Sequence, residues 1–154
     1  MKTLRRLCYI LILVVASANA QIVEIPDPNL RKAITEKLQL PAEAPITLQE
    51  MLRLNDHLAA SQSQITDLTG LQYATNLREL WMWGNPINDL TPISNLTELR
   101  KLDLAGCQVS DLTPLGNLIQ LQLLNIGWNK VTDISILANL INLERLRLLS
   151  LIHI

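Results

Sequence analysis

The side chains that could carry chemistry in this chain are few, and their spacing does not suit catalysis. The two histidines, His57 and His153, have no second ligand at a spacing typical of a zinc site. The sequence also lacks a nucleophile–base–acid set, a phosphate-binding loop and a G-x-G-x-x-G motif. Four aspartates recur at equal intervals, at positions 67, 89, 111 and 133, but one carboxylate per interval makes no catalytic pair. The residues therefore predict no enzyme activity, no metal and no cofactor.

Tryptophan is the more informative residue type. The chain has three tryptophans and no phenylalanine, and Trp81 and Trp83 are two positions apart. On a strand, residues at that spacing project from the same face. Exposed aromatic side chains are enriched at protein interfaces and can also stack on sugar rings. We therefore predict a binding surface around these indoles; the alternative is that they lie flat on one another and shield the strands.

A repeated sequence motif predicts the elements that position these side chains. It reads LRELWMWGNPI from Leu77, LRKLDLAGCQV from Leu99 and LQLLNIGWNKV from Leu121, and a further copy starts at Leu143, so the four starts are equally spaced. The motif fits L-x-x-L-x-L-x-x-N/C-x-L, the leucine-rich-repeat pattern, in which each unit is a strand followed by a helix or 3₁₀ turn. A degenerate first copy is found by counting back one interval from Leu77. The predicted repeats span 55–76, 77–98, 99–120 and 121–142, with an incomplete fifth from 143.

Alternation along each predicted strand separates a core face from a solvent face. The inward residues are Leu80, Met82, Leu102, Leu104, Leu124 and Ile126. The outward ones form a concave surface on which Ala105 and Gly127 leave a shallow floor beside Trp83, and on which Glu79 and Lys101 are placed to form an ion pair. The predicted binding residues on or beside this surface are Glu79, Trp81, Trp83, Lys101, Asp103, Asn125, Trp128, Arg145 and Arg147.

The return leg of each repeat carries the convex side. Pro92 and Pro114 suit the first position of a tight helical turn, and the recurring aspartates just before it are predicted to cap its amides. Asn85 and Asn129 are placed to bond backbone groups that the bend leaves unpaired. Cys107 takes the same position in its own repeat, where we predict a buried thiol; a reactive or partner-bridging thiol is the alternative.

The repeats follow two segments of different character. Residues 1–20 combine a basic start, an apolar run and an Ala18-Asn19-Ala20 site, which is typical of a secretory signal peptide cleaved after Ala20. An uncleaved anchor is the alternative; otherwise we expect membrane contact during export alone. Residues 21–54 contain a helix start at Asp27-Pro28 and a capping box from Thr47 to Glu50. We predict that this segment is a helical cap covering the first repeat, or else a small helical domain of its own.

The charge balance limits the classes of partner, and the cysteine content limits the sources of stability. Cleavage after Ala20 removes three of the 13 basic residues and leaves 10 against 14 acidic ones, a net charge of −4. Nucleic-acid binding requires a basic face, so this balance disfavours it. The cleaved chain keeps the one cysteine at position 107 and so has no internal disulfide. Its stability must come from packing of the repeats.

The motif Ile25-Pro26-Asp27-Pro28-Asn29-Leu30, the helical segment and the repeats together resemble internalin-type bacterial leucine-rich-repeat proteins. The resemblance covers nearly all of the chain after the leader. It implies an α/β solenoid with a parallel sheet on the concave face, short 3₁₀ or irregular turns on the convex face, and an N-terminal helical cap. It also implies a non-enzymatic, secreted, periplasmic or cell-envelope protein-binding module. The alternatives are a structural spacer or fragment of a larger envelope or adhesion protein, and carbohydrate binding through the concave tryptophans.

The fifth repeat stops early in the sequence. After Leu143, Leu146 and Leu148 the chain closes with Ile152-His153-Ile154, without a polar closing element. Terminal repeats normally need a polar outer face to stay soluble. This pattern predicts a truncated or frameshifted piece of a longer array, whose last ten or so residues pack poorly and favour association.

Overall fold

The computed structural model describes residues 21–149. The predicted leader and its cleavage point, and the last five of the residues predicted to pack poorly, lie outside the described part of the chain. Within that part, neither helix has the length and apolarity that a membrane crossing requires.

Two short helices precede the repeats. Helix α1 spans Pro28–Leu38, with Asp27 as its N-cap, and helix α2 spans Leu48–Leu52 behind a Thr47–Glu50 capping box. Both starts agree with the sequence prediction. Helix α2 ends two residues before Leu54, the predicted limit, although Leu54 is itself fully buried. An antiparallel bridge between Ile22 and Thr47 closes the segment on itself.

Five short strands form one parallel sheet in chain order: β1 His57–Ala59, β2 Glu79–Trp81, β3 Lys101–Asp103, β4 Leu123–Asn125 and β5 Arg145–Arg147. Each strand pairs with the next in the register of the repeat, so that Leu58, Leu80, Leu102, Leu124 and Leu146 stand in one column. The first four are fully buried. Leu146, on the last strand, is 39% exposed because no further strand among the described residues covers it. The leucine-rich-repeat solenoid predicted from the period is therefore confirmed.

Short 3₁₀ turns form the opposite side of the solenoid, at Leu71–Tyr73, Thr91–Ile93, Thr113–Leu115 and Ser135–Asn139. Asp89, Asp111 and Asp133 each accept a hydrogen bond, at 2.8 Å, from the amide of the first residue of the following turn. The hydrogen bonds that Thr91 and Thr113 donate hold the pKa of Asp89 and of Asp111 below its ordinary value. These three carboxylates have the structural role that the repeat pattern predicted. Asp67 accepts from the Thr69 amide at 2.7 Å, but its turn begins two residues later, at Leu71, so the prediction does not hold for the first repeat.

Candidate functional site

The tryptophan side chains lie on the concave face of the sheet and along its edge. Trp81 is the last residue of β2 and is half-buried, whereas Trp83, two residues further on, is 42% exposed. Trp128 follows β4 by three residues and is 61% exposed. Apolar side chains of this size are normally buried, so an exposed pair on one face marks a candidate contact surface.

A groove of about 450 Å³ joins Trp83 to Trp128. The two indoles belong to the second and fourth repeats, and the third repeat lies between them. Its residues on this path, Ala105 and Gly106, are small and form the floor. Because neighbouring strands are about 4.8 Å apart, the backbones that carry the indoles are separated by about 10 Å. The complete lining is Trp83, Gly84, Asp103, Ala105, Gly106, Asn125 and Trp128.

Trp128 has a left-handed backbone conformation that the turn of the repeat imposes. Its φ is +53°, and the equivalent residues of the three preceding repeats are Gln62 at +53°, Gly84 at +71° and Gly106 at +63°. A side chain at such a position costs about 1–2 kcal/mol relative to the ordinary helical region, and a bulky one is rare there. Within the groove glycine occupies this position, and tryptophan occupies it where the groove ends.

Asp103 differs from its prediction as an outward, solvent-facing residue, because its side chain is buried at 9% exposure. One carboxylate oxygen accepts from the Ala105 amide at 3.0 Å, and the other accepts from the Asn125 side-chain amide at 3.1 Å. The bulky Trp81 pairs with Asp103 in the register of the sheet, and Asn125 pairs with it on the other side. These neighbours cover the carboxylate, which the alternation of inward and outward positions does not reveal.

The predicted ion pair between Glu79 and Lys101 is present, at 2.7 Å between Oε1 and Nζ. The second carboxylate oxygen of Glu79 accepts from the indole N–H of Trp81 at 3.2 Å. This pair is partly exposed and contributes less than about 1 kcal/mol to stability. The Glu79 carboxylate orients the Trp81 indole and compensates the positive charge of Lys101.

The structure thus divides the predicted site residues into three groups. Trp83, Asp103, Asn125 and Trp128 share the groove. Glu79, Trp81 and Lys101 form a separate cluster on β2 and β3. Arg145 and Arg147 lie exposed on β5, at the far edge of the described sheet. Gly84 and Gly106 were not predicted as groove residues, although each occupies the position of Trp128 in its own repeat and could have been identified from that alignment.

Asn85 and Asn129 are buried at the end of the strand segment of their repeats and form hydrogen bonds with backbone groups of that repeat and of the preceding one. Asn85 accepts from the amides of Ser63 and Ile65 and donates to the carbonyls of Ala60 and Met82, all at 2.8–3.0 Å. Asn129 has corresponding partners: it accepts from the Val109 amide and donates to the Leu104 carbonyl in the preceding repeat, and it donates to the Ile126 carbonyl in its own. At Cys107 the thiol donates weakly to the Met82 carbonyl, at 3.5 Å, and burial raises its pKa. The thiol is therefore a packed interior group.

A second groove, of about 360 Å³, separates α1 from β1. In it the Lys37 ammonium lies 3.2 and 3.3 Å from the two ring nitrogens of His57, which also contacts the Asp56 carboxylate at 2.8 Å. This polar contact bridges the helical segment and the first repeat. Between residues 21 and 149 no group of three or more His, Cys, Asp or Glu side chains could hold a metal ion.

Comparison with known proteins supports the fold assignment. The family model described as "Leucine Rich repeats (2 copies)" matches residues 75–117. A search of curated proteins returned no match.

Solved structures are similar over most of the chain. An internalin, InlF, from Listeria monocytogenes is 31% identical with a TM-score of 0.79, over 82% of this chain and 37% of that one. Internalin C2 from the same species is 31% identical with a TM-score of 0.64, over 84% and 68%. A structure of CBM51-2 in complex with GlcNAc and INT domains from Clostridium perfringens ZmpB is 34% identical with a TM-score of 0.51, over 59% and 19%. This chain thus spans little more than a third of InlF.

Proposed function

The chain belongs to the internalin-type leucine-rich-repeat proteins of bacteria, and from that premise we propose that its concave face binds a partner protein outside the cytoplasm. The observation that carries the proposal is the exposure of Trp83 and Trp128 on either side of one groove. Tryptophan is strongly enriched among the residues that dominate binding energy at protein interfaces. The leader sequence supports export, and the helical segment 21–54 is proposed to cap the first repeat.

The geometry of the face suits recognition of a partner by rigid contact. Its strands are short and held in register by the buried leucine column, so the outward side chains are presented from a fixed backbone. Because little ordering is then required on binding, more of the interaction energy is retained as affinity. The proposal assigns no catalytic step to this face.

The test uses the full chain as bait with an extract of native cell-surface proteins. We expect the double variant Trp81→Ala, Trp83→Ala to lose a partner that the unchanged chain captures. Ile119→Ala is the matched control, because Ile119 is also a large exposed apolar residue but lies outside the groove. The proposal requires that the control keep the partner and that both variants unfold near the temperature of the parent chain. Undiminished capture by the folded double variant would refute the assignment to the concave face.

Carbohydrate binding is the second candidate, favoured by the stacking capacity of the indoles and by the similarity to a ZmpB structure in which CBM51-2 is in complex with GlcNAc. The same variants discriminate the two functions. Glycan binding predicts that enzymatic removal of sugars from the extract abolishes capture, whereas protein binding predicts that capture survives it. A structural spacer predicts no capture by either chain.

A further inference from the structure

We infer that the groove between Trp83 and Trp128 accepts an arginine side chain of the partner protein. The inference rests on the proposed function and specifies the chemistry that this site recognises. Two features of the groove carry it: its uncompensated carboxylate and its two indole walls.

Asp103 supplies a negative charge that no basic group of the described chain neutralises. Each of its oxygens accepts one hydrogen bond from a neutral donor, and no ion pair to it exists among residues 21–149. Lys101, two residues earlier in the same strand, is paired with Glu79 instead. A carboxylate can accept about four hydrogen bonds, so Asp103 retains acceptor capacity toward the groove that it lines. Burying such a charge is costly unless a cation pairs with it.

The two indoles complete a site for a planar cation. The electron-rich face of an aromatic ring attracts a cation, and tryptophan attracts most strongly. The guanidinium of arginine is flat, stacks on aromatic faces, is weakly hydrated and forms paired hydrogen bonds with a carboxylate. The separation of about 10 Å between the backbones of Trp83 and Trp128 leaves room for one inserted side chain above the small floor. A neutral sugar can also stack on the indoles and donate hydroxyl hydrogen bonds to Asp103, but it does not compensate the carboxylate charge.

The position of Trp128 completes the outline of the groove. Its left-handed conformation is shared with Gln62, Gly84 and Gly106 at the equivalent positions, so it belongs to the turn of the repeat. The side chain is 61% exposed, so burial does not account for its presence. It closes the end of the groove, where the equivalent residues of the second and third repeats are glycines.

The experiment follows the three indole N–H signals of the full chain by nuclear magnetic resonance. The signals are assigned with single Trp81→Phe, Trp83→Phe and Trp128→Phe variants. The probe is the peptide acetyl-Gly-Ser-Arg-Ser-Gly-amide, and the matched ligand control has citrulline, an uncharged isostere, in place of arginine. We expect the arginine peptide to shift the Trp83 and Trp128 signals with millimolar affinity and the citrulline peptide to bind at least about tenfold more weakly.

Two variants test the assigned groups. Asp103→Asn removes the charge at nearly constant volume, and we expect it to weaken the arginine peptide about tenfold while leaving the citrulline peptide within about twofold. Trp128→Gly gives this position the residue type of positions 84 and 106, and we expect a loss of about fivefold to thirtyfold. Glu98→Gln is the charge control, because Glu98 is exposed and lies outside the groove; it should leave binding unchanged. Unchanged dispersion of the amide spectrum shows that each variant is folded.

Equal shifts from the arginine and citrulline peptides, or none from either, would overturn the inference. So would preferential shifts of the same two signals by N-acetylglucosamine, which would assign the groove to a glycan. These outcomes are separate from the test of the proposed function, which scores capture of a partner by the Trp81, Trp83 double variant.

Discussion

Replacement of Asp27 by alanine should detach the helical segment from the first repeat. The Asp27 side chain is buried, at 6% exposure. Its Oδ1 accepts from the amides of Asn29 and Leu30, at 2.9 and 3.0 Å, at the start of α1. Its Oδ2 accepts from the amides of Thr66 and Asp67, at 2.8 and 3.2 Å, in the distant first repeat. One carboxylate therefore caps the helix and joins it to the solenoid.

The expected loss follows from these contacts. Removal of an N-cap side chain costs about 1 kcal/mol. Each of the two amides left behind in the first repeat adds about 1 kcal/mol, below the usual range for hydrogen bonds to charged groups because Thr66 is exposed. The free energy of unfolding should therefore fall by about 3 kcal/mol, which lowers the melting temperature by about 10 °C for a domain of this size.

The pH dependence gives a separate signature. Burial by itself would raise the pKa of Asp27, but the hydrogen bonds from Thr66, Leu30, Asp67 and Asn29 outweigh it and hold the pKa below its ordinary value of 3.8. A carboxyl whose pKa is depressed by folding contributes stability above its ordinary pKa and loses it as the pH falls through the folded value. The stability difference between the parent chain and Asp27→Asn should therefore be constant near neutral pH and shrink below about pH 4.

Urea unfolding measures the loss, and amide hydrogen exchange locates it. Asp111→Ala is the matched control, because the Asp111 carboxylate serves the exposed Thr113 of a single 3₁₀ turn; it should cost less than about 1 kcal/mol. In Asp27→Ala the amides of α1 should exchange faster while those around Leu102 in β3 stay protected. A loss no larger than that of the control, or unchanged exchange in α1, would refute this account of how the segment is held.

Three further predictions concern the interior of the repeats. Asn85→Ala leaves two backbone amides and two carbonyls without their hydrogen-bond partner. The free energy of unfolding, measured by urea denaturation, should fall by at least about 4 kcal/mol. A loss below about 1 kcal/mol would contradict the role of Asn85 in satisfying these groups. Burial raises the pKa of the Cys107 thiol. Iodoacetamide should therefore label this thiol at least about tenfold more slowly in the folded chain than in urea, as measured by peptide mapping. Equal labelling rates would show that the thiol is accessible in the folded chain. Gly70→Ala should lower the free energy of unfolding by at least about 2 kcal/mol more than Gly106→Ala. An added Cβ at position 70 would lie 2.7 Å from Ile25 Cγ1, whereas at position 106 its nearest neighbour is 3.9 Å away. Equal shifts of the melting temperature would argue against this packing.

The solenoid itself could be predicted because its signal is local and repeated. Leucine and isoleucine side chains that recur at matching offsets in every repeat cannot be buried within one repeat, and stacking of neighbouring repeats is the arrangement that buries them all. The helix starts at Asp27 and Thr47 were equally readable, since capping depends on residues a few positions apart. The ion pair between Glu79 and Lys101 followed from the same register.

What the sequence determined by itself was therefore the period, the inward and outward faces, and the family to which the chain belongs. The tertiary structure decided which outward residues meet. Trp83 and Trp128 line one groove because they are two repeats apart with glycine and alanine between them, and Asp103 is buried because Trp81 and Asn125 flank it across the sheet. Asp27 reaches Thr66 in a different part of the chain. These contacts depend on side-chain size and direction between strands, which a pattern along a single chain does not contain.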